Sequence, residues 1–440
     1  MGAQSDGWRM DRRKFLRSTA TAAGGLGLAS CAGWTTPGAK LGANDPNNPN
    51  IITVWFWDDS LQFAVDAFHK SQNKVKVYFQ KIGFDDAHQK LLTSFAAGAG
   101  APDVCSLEIG LIGGFTGRGG LVDLRKPPFD ADQFKDDIVK YKWIQGSSAD
   151  GRLVAMPWDI GPAGLWYRAD LLGEAGFDTD PGKMAARIQK WDDWFQLAED
   201  LKKKTGGKTA LFADSFNDVL IPMIEQQGHG WFDGNKLMFV QKATEPLKAA
   251  LRLHQQKLDA NIQWWGAEWS TGLRRNAFAA MGIASWMQGG LTQDQPQTIG
   301  KWRVIPAPEG DFNWGGSFMA IPEQSTKKAA AWEFLKYVCC SVEGQNAIFK
   351  ASGIFPAYKP AWKDPIYDAP VEFYGGQRTY RLYTEIAGGV PANVVHRSDR
   401  LASDIINNEI TKVRNQNVDP AAAMQAAQAE ALDRINGIVA

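Results

Sequence analysis

A chain of 440 residues has room for two or three domains with ample core. Lysine plus arginine and aspartate plus glutamate each total 48, so the formal charge is zero, which argues against a nucleic-acid binder working through a general basic field. Hydrophobic residues at 44% and charged residues at 22% are ordinary for a soluble globular protein, but 18 tryptophans are not, and so many suit a cleft that stacks flat ligands.

At the N-terminus, Arg12-Arg13-Lys14-Phe15-Leu16-Arg17 is a twin-arginine pattern followed by a mildly apolar run from Ser18 to Ala29. That run is too short and too rich in Gly, Ala and Thr to span a bilayer as a permanent helix. It ends in Leu28-Ala29-Ser30-Cys31, which resembles a bacterial lipobox. The resemblance implies a signal peptide over residues 1–31, lipidation of Cys31, and attachment to the outer face of the cytoplasmic membrane. Asp11 stands where twin-arginine signals usually carry Ser or Thr, so both Tat and Sec export stay open. Residues 32–50, rich in Gly, Pro and Asn, read as a flexible tether. Of the other cysteines, Cys105 sits in an apolar run and reads as a small core residue. Cys339 and Cys340 are adjacent within a helical pattern, where a vicinal disulfide would be strained. No Cys/His spacing fits a zinc site, and no metal or cofactor is expected.

Globular sequence begins at Ile51–Trp57, a strand. The helix Leu61–His69, strand Val75–Ile82, helix Asp86–Ala97 and strand Asp103–Leu107 follow, an alternation that predicts βαβ units on a parallel sheet. Ligands gather beyond the carboxyl ends of such strands. Next, Leu153–Met156 and Gly164–Tyr167 read as extended segments around a link holding Pro157, Gly161 and Pro162. Proline removes donors and fixes φ, so the link reads as neither interior strand nor helix. It is either a passage between domains or the turn of a β-hairpin with an aromatic surface. Beyond it come the helix Trp191–Lys204, strand Thr209–Ala213, and helices Phe216–Gln227 and Thr244–Leu258. Trp269–Ala279 reads as a helix leading to strand Gly282–Trp286. Trp302–Pro306 and Trp314–Ile321 are extended, separated by Pro308, Gly310 and Asp311, a second candidate crossing. Helices Lys327–Cys340 and Val342–Lys350 precede a third irregular stretch at Phe355–Tyr358, and the tail is helical over Asp399–Arg414 and Pro420–Gly437.

Four blocks in this order resemble the extracellular solute-binding proteins of sugar ABC transporters, in the maltose-binding-like branch. They are Ile51–Asp59, Ala101–Glu108, Gly151–Leu171 and Trp302–Pro356, and the last, with its EGQ-type helix before a "G…P", is the most family-specific. The resemblance implies an α/β, two-lobed periplasmic-binding-protein fold (type II) with hinge crossovers that closes around a ligand read by the membrane permease. Mapped here, lobe one covers 51–157 and 308–355, and lobe two covers 158–307 and 356–440. A monomer serving ABC permease subunits is expected.

Sugars present C–H faces to aromatic rings and hydroxyl edges to carboxylates and amides. The stacking candidates are Trp158, Trp231, Trp269, Trp286 and Trp314, from a wider set in loops or at strand ends that includes Trp264 and Trp265. Those for hydroxyls are Asp58, Asp59, Glu108, Asp159, Asn217 and Gln288, with Asp159 the foremost. Asp58 and Asp59 equally suit capping the helix from Ser60 onward. Gly315, Gly316 and Ser317 could bring backbone N–H groups to the ligand or form a strand bulge. The expected function is capture of a di- or oligosaccharide. A polyol phosphate or glycerophosphodiester would need one of Arg168, Arg274, Arg275, Arg378 or Arg381 in the cleft. A lipid-anchored glycoside hydrolase would need two carboxylates facing across it, though the expectation is that the protein is not an enzyme.

Overall fold

The computed structural model describes residues 48–440; the export signal, Cys31 and residues 32–47 lie outside the described residues. Strand β1 (Ile51–Phe56) buries Ile52, Val54 and Phe56 on alternate positions. It pairs in parallel with β2 (Lys76–Lys81) on one side and β3 (Val104–Glu108) on the other. Helices Leu61–Ser71 and Phe84–Ala97 make the crossovers, as the alternation of strand and helix predicts. Two helices that hydrophobic periodicity does not disclose follow, Ile109–Thr116 and Lys140–Gln145.

The proline-containing stretch is a passage and not a hairpin. Its segments β4 (Met156–Pro157) and β6 (Pro162–Arg168) lie in different sheets, with a third short strand, β5 (Asp159–Ile160), between them. Pro162 opens a fully buried central strand, a place where its missing N–H is tolerated. The chain continues through β7 (Ala210–Phe212), a small hairpin of β8 (Phe232–Asp233) and β9 (Lys236–Leu237), then β10 (Phe278–Ala284) and β11 (Trp302–Ile305). It ends its strands with β12 (Phe312–Asn313), β13 (Ser317–Ala320) and β14 (Phe355–Pro356).

Two sheets result. The first has the order β2-β1-β3-β13-β4, so a strand from far along the chain enters between β3 and β4. The second has the order β11-β6-β10-β7, with β12 beside β11 on the same edge of β6. Only β7 and β10 run parallel in the second sheet; β6 is antiparallel to β10, β11 and β12. Both sheets are therefore mixed.

The lobes join at three connections. β5 and β14 pair antiparallel, Ile160 opposite Phe355 and Asp159 opposite Pro356, and the chain passes a third time between β12 and β13, over residues 314–316. Because Phe312 and Asn313 are bonded to Ala163 and Pro162, they belong to the second sheet. That moves the boundary expected at 307/308 to residues 314–316. The helices Asp399–Gln416 and Pro420–Arg434 share an apolar cluster with Phe239–Gln255 on lobe two.

Candidate functional site

The carboxyl end of β10 and the crossover after β12 place Trp286 and Trp314 beside the hinge, the Trp286 indole N–H donating to the Trp314 carbonyl at 2.8 Å. Trp264, Trp265 and Trp269 close on them. Ring centroids lie 5.1 Å apart for Trp264 and Trp314, 4.9 Å for Trp264 and Trp269, and 6.3 Å for the stacked pair Trp265 and Trp286. Trp264 and Trp269 are buried, whereas Trp265, Trp286 and Trp314 keep part of their faces open. Trp265 holds a backbone φ of +63°, a conformation costly for a bulky side chain that persists only where surrounding structure enforces it. Trp269, Trp286 and Trp314 are thus brought together, joined by Trp264 and Trp265. Three tryptophans within six residues was the signal for those two.

The other expected stacking residues lie elsewhere. Trp158 is 1% exposed and edge-on to Phe56 at 4.8 Å, part of the lobe-one core. It sits at the root of β5, where the strand's pairing turns the ring inward. Trp231 donates its indole N–H to Ser403 and packs edge-on against Phe239, tying the loop before β8 to the helix Asp399–Gln416.

Among the polar candidates, Asp159 sits in the hinge itself, accepting from the Ser317 backbone N–H at 2.7 Å and from the Ser317 hydroxyl. Burial raises its pKa, opposed by the Lys142 charge and by the Ser317 hydrogen bonds. Gly316, at φ +101°, lets two connections touch: a Cβ there would lie 2.8 Å from the Asp159 carbonyl. So the Gly315-Gly316-Ser317 segment serves backbone-to-backbone approach at the hinge. Glu108 ends β3 and caps the helix Ile109–Thr116, its carboxylate accepting from the Gly110 N–H at 2.8 Å. Asp58 accepts from the Ser60 N–H, and Asp59 pairs with Lys81 at 2.5 Å in an exposed position. Gln288 reaches the Tyr380 hydroxyl, and Asn217 is half-buried just beyond the carboxyl end of β7. Arg168, Arg275 and Arg381 are engaged by Asp170, Glu268 and Asp368.

Two buried polar residues escape a reading by strand ends. Asn313 accepts from the Tyr141 hydroxyl and the Gly161 N–H, each at 2.8 Å, and donates to the Gly315 carbonyl. Lys142 lies fully buried beside Gly316 at the hinge, where the charges of Asp159 and Glu108 act on it.

Across the mouth of the cleft, the helix Ile109–Thr116 of lobe one meets residues 395–397 of lobe two. A Cβ at Gly113 would lie 2.3 Å from the His396 carbonyl oxygen, and one at Gly117 would lie 2.7 Å from the Arg397 Cβ. Val395 is buried in the same cluster as Phe115. The lobes are therefore in contact on both sides of the cleft. Open cavities of about 470 and 360 Å³ lie away from it, around Lys208 and Lys257 and around Pro127 and Arg152 respectively. They sit at the strand ends opposite the hinge, so they are not the site the tryptophans flank.

Residues 64–373 match the family model described as bacterial extracellular solute-binding protein. The chain is 23% identical over 370 residues to the arabinooligosaccharide-binding protein of Halalkalibacterium halodurans, covering 80% of this chain and 81% of that one. To the lactose-binding protein of Rhizobium radiobacter it is 25% identical over 368 residues, covering 78% and 83%. Among solved structures it resembles an extracellular solute-binding protein of family 1 with a TM-score of 0.79 at 23% identity, over 87% of this chain and 99% of that one. It also resembles the ABC transporter associated binding protein of B. animalis subsp. lactis in complex with β-1,6-galactobiose, with a TM-score of 0.71 at 24% identity, over 88% and 98%. These likenesses establish the two-lobed fold. Among the described residues, no helix is long and apolar enough to cross a membrane.

Proposed function

The chain belongs to the bacterial extracellular solute-binding protein family, and from that premise we propose that it captures a di- or oligosaccharide between its lobes and delivers it to an ABC importer. The observation that carries this reading is the cluster of Trp264, Trp265, Trp269, Trp286 and Trp314 at the hinge side of lobe two. Partly open indole faces cover the C–H faces of sugar rings, and the buried hinge carboxylate of Asp159 with Glu108 would take hydroxyl groups. The names of the relatives, arabinooligosaccharide- and lactose-binding proteins, support the same ligand class. Micromolar capture needs about −8 kcal/mol, which a few stacked rings and hydrogen bonds supply without covalent chemistry. Lipidation at Cys31 would hold the receptor beside its permease.

Of the five arginines that could serve a polyol phosphate, Arg168, Arg275 and Arg381 already face carboxylates, which leaves that reading to Arg274, bonded to the Thr271 hydroxyl, and Arg378. The test is a thermal-shift panel of mono-, di- and oligosaccharides and glycerophosphodiesters, followed by calorimetry on hits. A true ligand at 100 times its dissociation constant should stabilise the protein by about 2.7 kcal/mol. Trp265→Ala should weaken that ligand by about tenfold or more, equivalent to about 1.4 kcal/mol. A panel in which only phosphodiesters shift the melting point would sink the sugar reading, and cleavage of a bound sugar would replace the receptor with a hydrolase.

A further inference from the structure

Lys142 lies on the short helix Lys140–Gln145, a segment outside the strand ends that define the cleft. Its side chain is wholly buried, and its Nζ has no hydrogen-bond acceptor among the described residues. The ammonium sits 3.7 Å above the centre of the Phe318 ring, and a Cβ at Gly316 would come within 3.0 Å of it. The carboxylates whose charge it feels are Asp159 and Glu108. These neighbours come from the end of β3, from β5 and from the start of β13, which meet at the floor between the lobes.

An ammonium carries three donors and no acceptor. The Phe318 face attracts the charge but takes no directional hydrogen bond in the ordinary sense. No hydrogen bond joins it to Asp159, whose carboxylate accepts from both donors of Ser317. A buried cation left unfilled is costly, and a buried polar group without a partner calls for a missing one.

We infer that Lys142 is a ligand-contacting, specificity-determining residue of the cleft, donating to a hydroxyl oxygen of the bound saccharide whose proton is taken by Asp159 or Glu108. A hydroxyl is the group that accepts from an ammonium and donates to a carboxylate at once. With two carboxylates to one cation, the pocket floor selects a neutral sugar over a uronic acid. The inference rests on the sugar reading above.

The experiment compares wild type and Lys142→Met by calorimetry with the best saccharide of the panel, alongside melting curves without sugar. Replacing an unpaired buried charge by an apolar chain of similar length should leave the ligand-free melting point equal or higher. Affinity should nevertheless fall by about tenfold or more. A deoxy or epimeric analogue altered at the recognised hydroxyl should bind the wild type weakly and lose little further in the variant. Lys142→Gln, which retains a donor without the charge, serves as second variant should Met fail to fold, and should show the same loss in smaller measure. Affinity unchanged in both variants, or affinity and melting point falling together, would overturn the inference while leaving the sugar reading intact. A wild type that binds no saccharide removes both.

Discussion

Lys142 and Asp159 are buried in the same hinge with opposite charges, and burial acts on both in the direction of neutrality. It pulls the Lys142 pKa down to about 7, opposed by Asp159 and Glu108, and it raises that of Asp159, opposed by Lys142 and Ser317. Asp58 adds to the negative field on Asp159. The consequence for stability has a definite sign. In the unfolded chain Lys142 keeps its proton up to the ordinary value of 10.5, so between about 7 and 10.5 the unfolded state binds more protons than the native one. Stability from this group therefore rises with pH across that window. Melting curves should show ligand-free Lys142→Met ahead of wild type at pH 6.5, with the gap narrowing by pH 9.5. A gap independent of pH would mean that the lysine titrates normally. Among the proposed site residues, Trp286 and Trp314 are legible from their places after a strand and at a crossing. Trp158 is not, because it stands between β4 and β5, where a shift of one residue decides whether a ring faces the core or the cleft.

At the scale of elements, the helix Ile109–Thr116 shows why part of the site is invisible to periodicity. Its glycines at 110, 113 and 114 argue against a helix by propensity. Gly113 and Gly117 are there for close approach, since residues 395–397 of the other lobe occupy the space their Cβ atoms would fill. Gly113→Ala therefore has two effects of opposite sign. Within the helix it should stabilise by about 0.5–1 kcal/mol. Against His396 it should obstruct the lobe contact, so sugar affinity and the ligand-induced decrease in radius of gyration should both fall. Small-angle scattering with and without sugar checks this; a variant that closes and binds as the wild type does would show that the contact contributes nothing to closure. Other elements follow directly from the sequence. The helices Lys328–Cys340 and Val342–Ser352 fall within two residues of expectation because apolar spacing and the Ser341 cap define them. The expected helix from Phe216 to Gln227 breaks into Ser215–Asp218 and Leu220–Glu225. Pro222 has no N–H for the Asp218 carbonyl, and that carbonyl lies 2.6 Å from where a Cβ on Gly282 would be. Lys142 escapes the sequence pattern for a related reason: its six-residue helix is too short to show a period.

For the whole molecule, the lobes do not fold from separate halves of the chain. Strand β13 returns from lobe two to sit between β3 and β4, so the first sheet is complete only after the second has been traversed. Unfolding should accordingly engage both lobes through the connections they share, and Asn313 is where those connections are tied. Its side chain accepts from Tyr141 on the lobe-one side and from Gly161 at the start of lobe two, and it donates to Gly315 in the third connection. Asn313→Ala leaves the Tyr141 hydroxyl and the Gly161 N–H buried without that acceptor, at a cost of about 1–3 kcal/mol each. The melting point should drop by several degrees as one cooperative transition, not as a split in which one lobe melts early. Asn313→Asp keeps an acceptor for both donors but sets a second oxygen against the Gly315 carbonyl in a buried site, so it should recover part of the loss only at acidic pH, where the protonated carboxyl can donate to Gly315. Calorimetric scans of the two variants decide the matter. If Asn313→Ala instead separates two transitions, the shared strand is not enough to couple the lobes and this one side chain is the coupling. If it melts as the wild type does, the hinge is held by the β5–β14 ladder and the Asp159–Ser317 bonds alone.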